Sequence, residues 1–368
     1  MINNITLFPI NLTHLKEMTD EFGVIQFAKT VEPDIHSGYT LDDNSRALII
    51  MCQHYEQTKD KNNLHYIETY FNFIKYCLQP EGYFLNYVNR QRAFTDQNRT
   101  TNLADANGRA IWALGYAISK SDLLPKKLTT DINSIMRLAL HRINTIHSTR
   151  AMGFLVKGLY YSNIKWKSRE TTLCIIALAN KLVQMYRHES EKGWEWFENY
   201  FTYANSVLPE ALLCAYLETN EEEFKNISKE SFDFLLSQIF SDDCIKIISN
   251  KGWMQKGEET THYGEQPADI AYTIMALSKF YDAFGEDTYL HKMEIAFSWF
   301  TGNNHLHKAL YDPGTGGCYD GVEEKQINPN QGSESTISYL LARSTIGRYF
   351  EPNQEIKFEM EENSKINE

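Results

Sequence analysis

Residues 104–119 read ADANGRAIWALGYAIS. Small and apolar residues fall on more than one face of the helix this stretch forms, which suits a helix packed on two sides. The same character recurs in 207–218, VLPEALLCAYLE, and in 267–280, PADIAYTIMALSKF. Working outward, six such segments are expected over about 42–57, 105–119, 149–161, 207–219, 267–284 and 334–349. Six others alternate with them, over about 12–28, 62–78, 128–147, 168–187, 222–239 and 287–301. These carry a clearer polar face, as in KNNLHYIETYFNFIKYCL (61–78) and EEEFKNISKESFDFLLSQIF (221–240). A layer with one wet side has this pattern.

Strict alternation of six with six predicts six helical hairpins. Hairpins that close into a ring need no capping repeats, because each has two neighbours. The expected fold is therefore all-α: an (α/α)6 toroid over residues 1–350, with short strands in the loops that lead into the inner helices. Residues 351–368 read as a polar, acidic tail. Those same loops carry Gly38-Tyr39, Gly82-Tyr83, Gly193-Trp194, Gly252-Trp253 and Gly317-Cys318-Tyr319. Each Gly is expected to end an outer helix, with the aromatic folding back on it. Long loops at one end of a ring gather functional groups there.

The net charge of −12, with no basic stripe, argues against a nucleic-acid partner. No apolar run approaches the length of a membrane span. Six dispersed cysteines without a CxxC pair fit reduced thiols in the cytoplasm, and no signal sequence is visible at the first residues. There is no HExxH, no Cys/His zinc spacing, no phosphate-binding or dinucleotide glycine motif and no GxSxG. No metal and no cofactor is therefore expected.

Acidic residues mark the starts of the inner helices. Asp42 and Asp43 open the first and Asp105 the second. Glu210 follows Pro209 in the fourth, Asp269 follows Pro267 in the fifth, and Glu334 follows Ser333 in the sixth. The third offers Arg150 instead. A carboxylate here caps free N–H groups and complements the helix dipole, which is reason enough for its presence. In a closed ring, however, these starts converge on one cavity, where repulsion and burial separate carboxylate pKa values. A raised carboxyl can then serve as acid while an ionised one serves as base or nucleophile, which is what glycoside cleavage requires. Asp43, Asp105, Glu210, Asp269 and Glu334 are accordingly the catalytic candidates.

The neighbouring residues suit a sugar. Trp194, Trp196, Tyr203, Trp253, Tyr263 and Tyr319 lie in loops that should rim the cavity, although each could equally pack in the core. Asp42, Asn44, Arg46, Asn107, Arg109, Glu265, Gln266, Asp320, Asn330 and Gln331 could bind hydroxyls. Arg46 and Arg109 could instead pair internally with Asp43 and Asp105, at i,i+3 and i,i+4 spacing. His36 and His262 precede inner helices and are the bases that a sugar epimerase or isomerase would need.

GYTLDDNSRAL, DANGRAIWALG and the closing GGCYDG…NPNQGSEST, together with the six-hairpin count, resemble the six-hairpin glycosidase superfamily over roughly residues 10–350. More narrowly, they resemble bacterial (α/α)6 proteins found beside, or fused to, glycosyltransferases and mannoside phosphorylases. The resemblance implies a glycan or oligosaccharide substrate, with a glycosyltransferase or mannoside phosphorylase as a partner. It also implies that Asp or Glu at inner-helix starts does the chemistry. A glycoside hydrolase is the leading expectation. The alternatives are an epimerase or isomerase, or a non-catalytic glycan-binding partner of a glycosyltransferase.

Overall fold

The computed structural model describes residues 6–141, 145–258 and 263–350. In chain order the helices are α1 (Thr13–Glu17), α2 (Leu41–Thr58), α3 (Leu64–Cys77), the single-turn α4 (Gln97–Thr100), α5 (Ala104–Ser119), α6 (Lys126–Leu140), α7 (Thr149–Lys165), α8 (Arg169–Glu189), α9 (Val207–Thr219), α10 (Glu222–Ile239), α11 (Pro267–Phe284), α12 (Asp287–Ser298) and α13 (Ser333–Phe350). The inner helices are α2, α5, α7, α9, α11 and α13. Each packs against the next, and α13 returns to α2. The outer helices α3, α6, α8, α10 and α12 each pack on the inner helix before them, and α1 packs on α13. The architecture is an (α/α)6 toroid whose sixth hairpin joins α1 and α13, elements far apart in the chain.

Inner helices are buried around most of their circumference. In α5 only Ala104, Asp105, Asn107 and Ser119 escape, and in α13 every residue from Ser333 to Ile346 except Glu334 is buried. Outer helices bury one face, as in α6, where Leu128, Ile132, Met136 and Ala139 recur every three or four residues. The closest inner contact is between α5 and α7. A Cβ on Gly115 would lie 1.9 Å from the Gly158 carbonyl oxygen, and one on Gly158 would lie 2.4 Å from that of Ile111. Replacing Gly115 with alanine gains up to about 1 kcal/mol of helix propensity. The forced backbone shift outweighs that gain, so a net loss of about 2–3 kcal/mol is expected. Chemical denaturation would measure it, and an unchanged midpoint would mean that the two backbones do not meet there.

Turns from inner to outer helices are short, and three of the inner helices end in left-handed caps at Lys59, Asn220 and Gly285. Loops from outer to inner helices are long, and two-stranded ribbons stitch them together. Tyr39–Thr40 pairs with Tyr87–Val88, and Tyr200–Phe201 pairs with Met254–Gln255. The final loop carries two further antiparallel pairings, Tyr311–Asp312 with Gly317–Cys318 and Gly321–Val322 with Ile327–Asn328.

Two local expectations change. The helix expected over 12–28 is only α1, five residues long. Beyond it Asp20 accepts the Phe22 and Gly23 N–H groups in a turn, and Val24 and Ile25 pair as bridges with Thr19 and Tyr39. The Gly-aromatic glycines do not end outer helices, whose C-caps fall at residues such as Leu78, Ser190 and Phe240. Gly38, Gly82, Gly193 and Gly252 instead take positive φ inside the long loops. The acidic tail lies outside the described residues. Among the described residues no helix is long and apolar enough to cross a membrane, and the six cysteines form no disulfide.

Candidate active site

The site begins with the start of α2. Thr40 is its N-cap: the hydroxyl oxygen accepts the Asp43 N–H at 3.1 Å and the hydroxyl donates to Asp43 Oδ2 at 2.6 Å. Asp43 is thereby fixed and almost fully buried. One turn on, Arg46 donates to three elements at once. Its Nη1 reaches Asp43 Oδ1 at 3.2 Å, its Nη2 reaches Glu334 Oε1 of α13 at 2.7 Å, and its Nε reaches the Tyr272 hydroxyl of α11 at 3.1 Å. Arg109 of α5 mirrors it, donating to Asp42 Oδ1 at 2.7 Å and to the same Tyr272 hydroxyl at 3.3 Å. Asn86 completes the Asp42 shell, donating to Oδ2 at 3.1 Å and accepting the Asp42 N–H. Helices α2, α5, α11 and α13 thus meet in one charged layer just below their starts.

Above that layer lie two adjoining hollows of about 270 and 250 Å³. Gln26, Asp43, Gln266 and Glu334 line both. The first adds Asp42, Arg46, Arg109, Tyr203, Trp253 and Asp269, and the second adds Glu265 and Asp320. Tyr203 and Trp253 face each other with ring centroids 6.3 Å apart, and the Arg109 guanidinium lies over Tyr203 at 5.5 Å. Flat aromatic faces beside forked donors suit the C–H faces and hydroxyls of a sugar.

The carboxyl groups are set apart electrically. Burial opposes ionisation of Asp42, but the Arg109 and Arg46 charges outweigh it and hold the group below the usual carboxylate range. Burial raises Asp43, and repulsion from Glu334 and Asp42 adds to the rise against the pull of Arg46. Burial also pushes Asp269 up to about 7, helped by Glu334 and opposed by the Ala204 N–H that donates to its Oδ1. Asp320 is raised to about 6, chiefly by burial. The Glu334 side chain is half exposed, the most open of the five expected catalytic carboxylates and held by Arg46.

Several expected site residues stand elsewhere. Glu210 is at the start of α9 but not at the mouth: its Oε2 accepts from Lys157 Nζ at 2.7 Å, with both side chains almost wholly buried. The pair lines a different cavity, toward the far ends of the inner helices, because α9 begins deeper in the ring than its neighbours. Asp105 lines neither hollow. It accepts from the Ser148 hydroxyl at 2.6 Å and from the Tyr203 hydroxyl, and so braces Tyr203 from behind. Trp194 is a core residue, packed on Phe201 and Phe234 with its Nε1–H on the Glu198 carbonyl. Trp196 is fully buried.

Asn44 is buried too: it accepts the Val24 N–H and donates to the Thr40 carbonyl, tying the N-terminal turn to α2. Asn107 likewise bonds the Phe84 backbone. Gln331 is buried against Thr315 and Asp312, and Asn330 accepts the Thr30 N–H. Tyr319 lines neither hollow, its N–H donating to Leu310 in the final loop. Glu265 lines the second hollow but has one oxygen occupied by Trp299 Nε1–H at 2.7 Å. His36 is exposed and bonded to Arg90, and His262 lies outside the described residues. Tyr272 was not among the sequence candidates. Its position three residues after Asp269, on the same face of α11, is the signal that could have found it.

Neither a family model nor a curated protein matches this chain. Solved structures do match. A sugar epimerase from a ruminal bacterium superposes with a TM-score of 0.69 at 12% identity, covering 92% of this chain and 95% of that one. Cellobiose 2-epimerase from Bacillus thermoamylovorans gives 0.70 at 11%, with the same coverage. An inactive variant of an α-1,6-mannanase of Salegentibacter, with two consecutive aspartates replaced and α-1,6-mannotetrose bound, gives 0.60 at 12%, covering 91% and 96%. This chain has the fold of the six-hairpin glycosidase superfamily. Within that superfamily fold, Asp42, Asp43, Asp269 and Glu334 are the acids that this chain brings to one cavity at the inner-helix starts. Fold likeness at such low identity does not carry the reaction with it.

Proposed function

We propose that this protein is a carbohydrate-active enzyme that hydrolyses a glycosidic bond of an oligosaccharide or glycan held in the paired hollows. The observation that carries the reading is the shared placement of Asp269, raised to about 7, and the half-exposed Glu334 held by Arg46. Asp269 is protonated in a good fraction of molecules near neutral pH and can give its proton to the leaving oxygen. Glu334 is the group positioned to accept a proton from water or to attack the sugar carbon directly. The separation adopted with substrate bound decides between inversion, at about 6.5–9.5 Å, and retention, at about 5–5.5 Å. Asp43 and Arg46 orient Glu334, while Asp42 and Arg109 form an ionised pair facing the sugar hydroxyls.

The Salegentibacter mannanase supports this choice. It shares this fold and holds α-1,6-mannotetrose in its complex, which favours an oligosaccharide as the substrate of this chain. The epimerases match with higher TM-scores, which favours proton transfer at a sugar carbon as the second reading. Against it, no histidine lines either hollow among the described residues.

The two readings separate in heavy water. Incubation with α-1,6-mannooligosaccharides and a panel of β-linked disaccharides in D2O should release reducing sugars without deuterium on carbon. Deuterium on the carbon of an uncleaved sugar would overturn hydrolysis in favour of epimerisation. Because Asp269 must be protonated to act as acid, kcat/KM should fall about tenfold per pH unit above about 7. A rate that is flat from pH 6 to 9 would remove Asp269 from that role.

A further inference from the structure

The two hollows of the mouth do not span the ring. Their walls come from α2, α5, α11 and α13 and from the loops around them. Among the described residues, none that lines them belongs to α7 or α9. The barrier is Tyr203, which lines the first hollow. Away from that hollow its hydroxyl donates to Asp105, and Arg150 at the start of α7 donates from Nε to its carbonyl at 2.7 Å. Asp43 and Glu334 line both hollows and so stand at their junction, while Asp269 lines only the first, the one that Tyr203 bounds.

Tyr203 is fixed from several directions. The Arg109 and Arg150 guanidiniums lie over its ring, 5.5 and 5.6 Å from the centroid. Arg150 Nη2 also donates to Asn205 Oδ1 at 3.1 Å, and the same oxygen accepts the Thr202 N–H at 3.1 Å. The ribbon of Tyr200–Phe201 with Met254–Gln255 ties this loop to that of Trp253, the ring that faces Tyr203. Both loops hold a left-handed backbone at a residue other than glycine, Ala204 at φ 51° and Trp253 at φ 56°. A residue with a Cβ adopts that conformation at a cost, and it persists where the surroundings enforce it, as they do at binding sites. The Ala204 N–H donates to Asp269, so the barrier and the candidate acid share one support. Arg150, the one inner-helix start without an acid, thus serves to hold the barrier in place.

We propose that Tyr203 sets the length of the substrate: it closes the site one sugar unit beyond the scissile bond, so that single sugars are taken from a chain end and bonds within a chain are not cut. Water supplies the hydrogen and hydroxyl that the two products gain. The cleavage rests on the hydrolytic reading of the mouth, whereas the length limit rests on the barrier alone. The first hollow, about 270 Å³, falls short of the roughly 300–1,000 Å³ of sites for drug-sized ligands, which suits one pyranose against the Tyr203 and Trp253 rings. The rest of the chain runs out over the second hollow.

The first products from α-1,6-mannotetrose and from cellotetraose, read at low conversion with the full chain, test this. Wild type should give monosaccharide and trisaccharide. Tyr203→Phe keeps the ring and should keep that pattern, whereas Tyr203→Ala should add disaccharide from the central bond. Calorimetry on Asp269→Asn reads length without cleavage. In each series that binds, disaccharide and tetrasaccharide should bind within about twofold of each other, and adding Tyr203→Ala should let the tetrasaccharide bind about fivefold more tightly than the disaccharide. Disaccharide among the wild-type first products, or a tetrasaccharide advantage of about fivefold with Tyr203 in place, would overturn the length limit, and these two readings decide even if the alanine variant does not fold. So would an unchanged pattern in a folded Tyr203→Ala, or binding by neither series. A length limit in binding without any cleavage would keep the barrier and sink the hydrolytic reading instead.

Discussion

Asp269→Asn is expected to lower turnover by about 10²–10⁴-fold, the usual share of a general acid, and to make the protein more stable above pH 7. The two effects have one origin. The raised pKa means that ionising Asp269 in the folded state is costly. Stability from this group is complete below the unfolded carboxylate value and is lost as the pH rises through about 7. One pKa unit corresponds to about 1.4 kcal/mol. Because Asp269 is partly open to solvent, a gain of about 1–2 kcal/mol at pH 8 is expected from removing the charge. Asparagine keeps the Oδ1 that accepts the Ala204 N–H, so the loop before α9 stays in place. Thermal melts at pH 5 and pH 8, beside kinetics on whichever oligosaccharide the wild type cleaves, give both numbers. An active variant would exclude Asp269 as the acid. A variant equally stable at both pH values relative to wild type would show that the carboxyl is not disfavoured in the fold. Glu334→Gln should show the rate loss without the stability gain, since Arg46 already compensates its charge.

The largest stability effect is expected at the Lys157–Glu210 pair. Their side chains are 1% and 2% exposed, and the Lys157 ammonium also lies 4.2 Å from the centroid of a Trp112 ring. Lys157→Met removes one charge and strands the other in a dry interior, which costs about 3–5 kcal/mol. The double change Lys157→Met with Glu210→Gln should recover most of that loss, because the penalty comes from the stranded carboxylate and not from the missing attraction. Urea unfolding of the two variants and the wild type decides the matter. Equal midpoints for all three would mean that water or another group reaches Glu210.

The helical ring was legible because burial on two sides leaves a compositional mark. In ADANGRAIWALGYAIS and PADIAYTIMALSKF small residues occupy faces that a surface helix would make polar, and the observed bounds of α5, α9 and α11 lie within a residue of those expected. The segment over 12–28 misled because its apolar spacing is shared by a short helix followed by paired strands, and only the Asp20 turn separates them. Acids at helix starts were also legible, since capping and chemistry use the same position. Their depth was not. Asp43 and Asp269 are the third residues of their helices and Glu210 the fourth of its own, yet Glu210 reaches Lys157, the ninth residue of α7. How far each helix is pushed along the ring axis depends on loop lengths and packing between elements distant in sequence, and no local pattern encodes it. Trp194 was misread for a related reason: a tryptophan after a glycine looks alike whether its ring turns toward a ligand or toward Phe234.

The sixth hairpin joins α1 to α13, with His14 bonded to the Gln331 carbonyl across 317 residues, and Glu334 comes from that last helix. During synthesis the nascent chain must therefore emerge almost to residue 350 before the mouth acquires its exposed acid and Arg46 its second partner. The mouth is thus completed only by joining the two ends of the chain, where Arg46 of α2 meets Glu334 of α13.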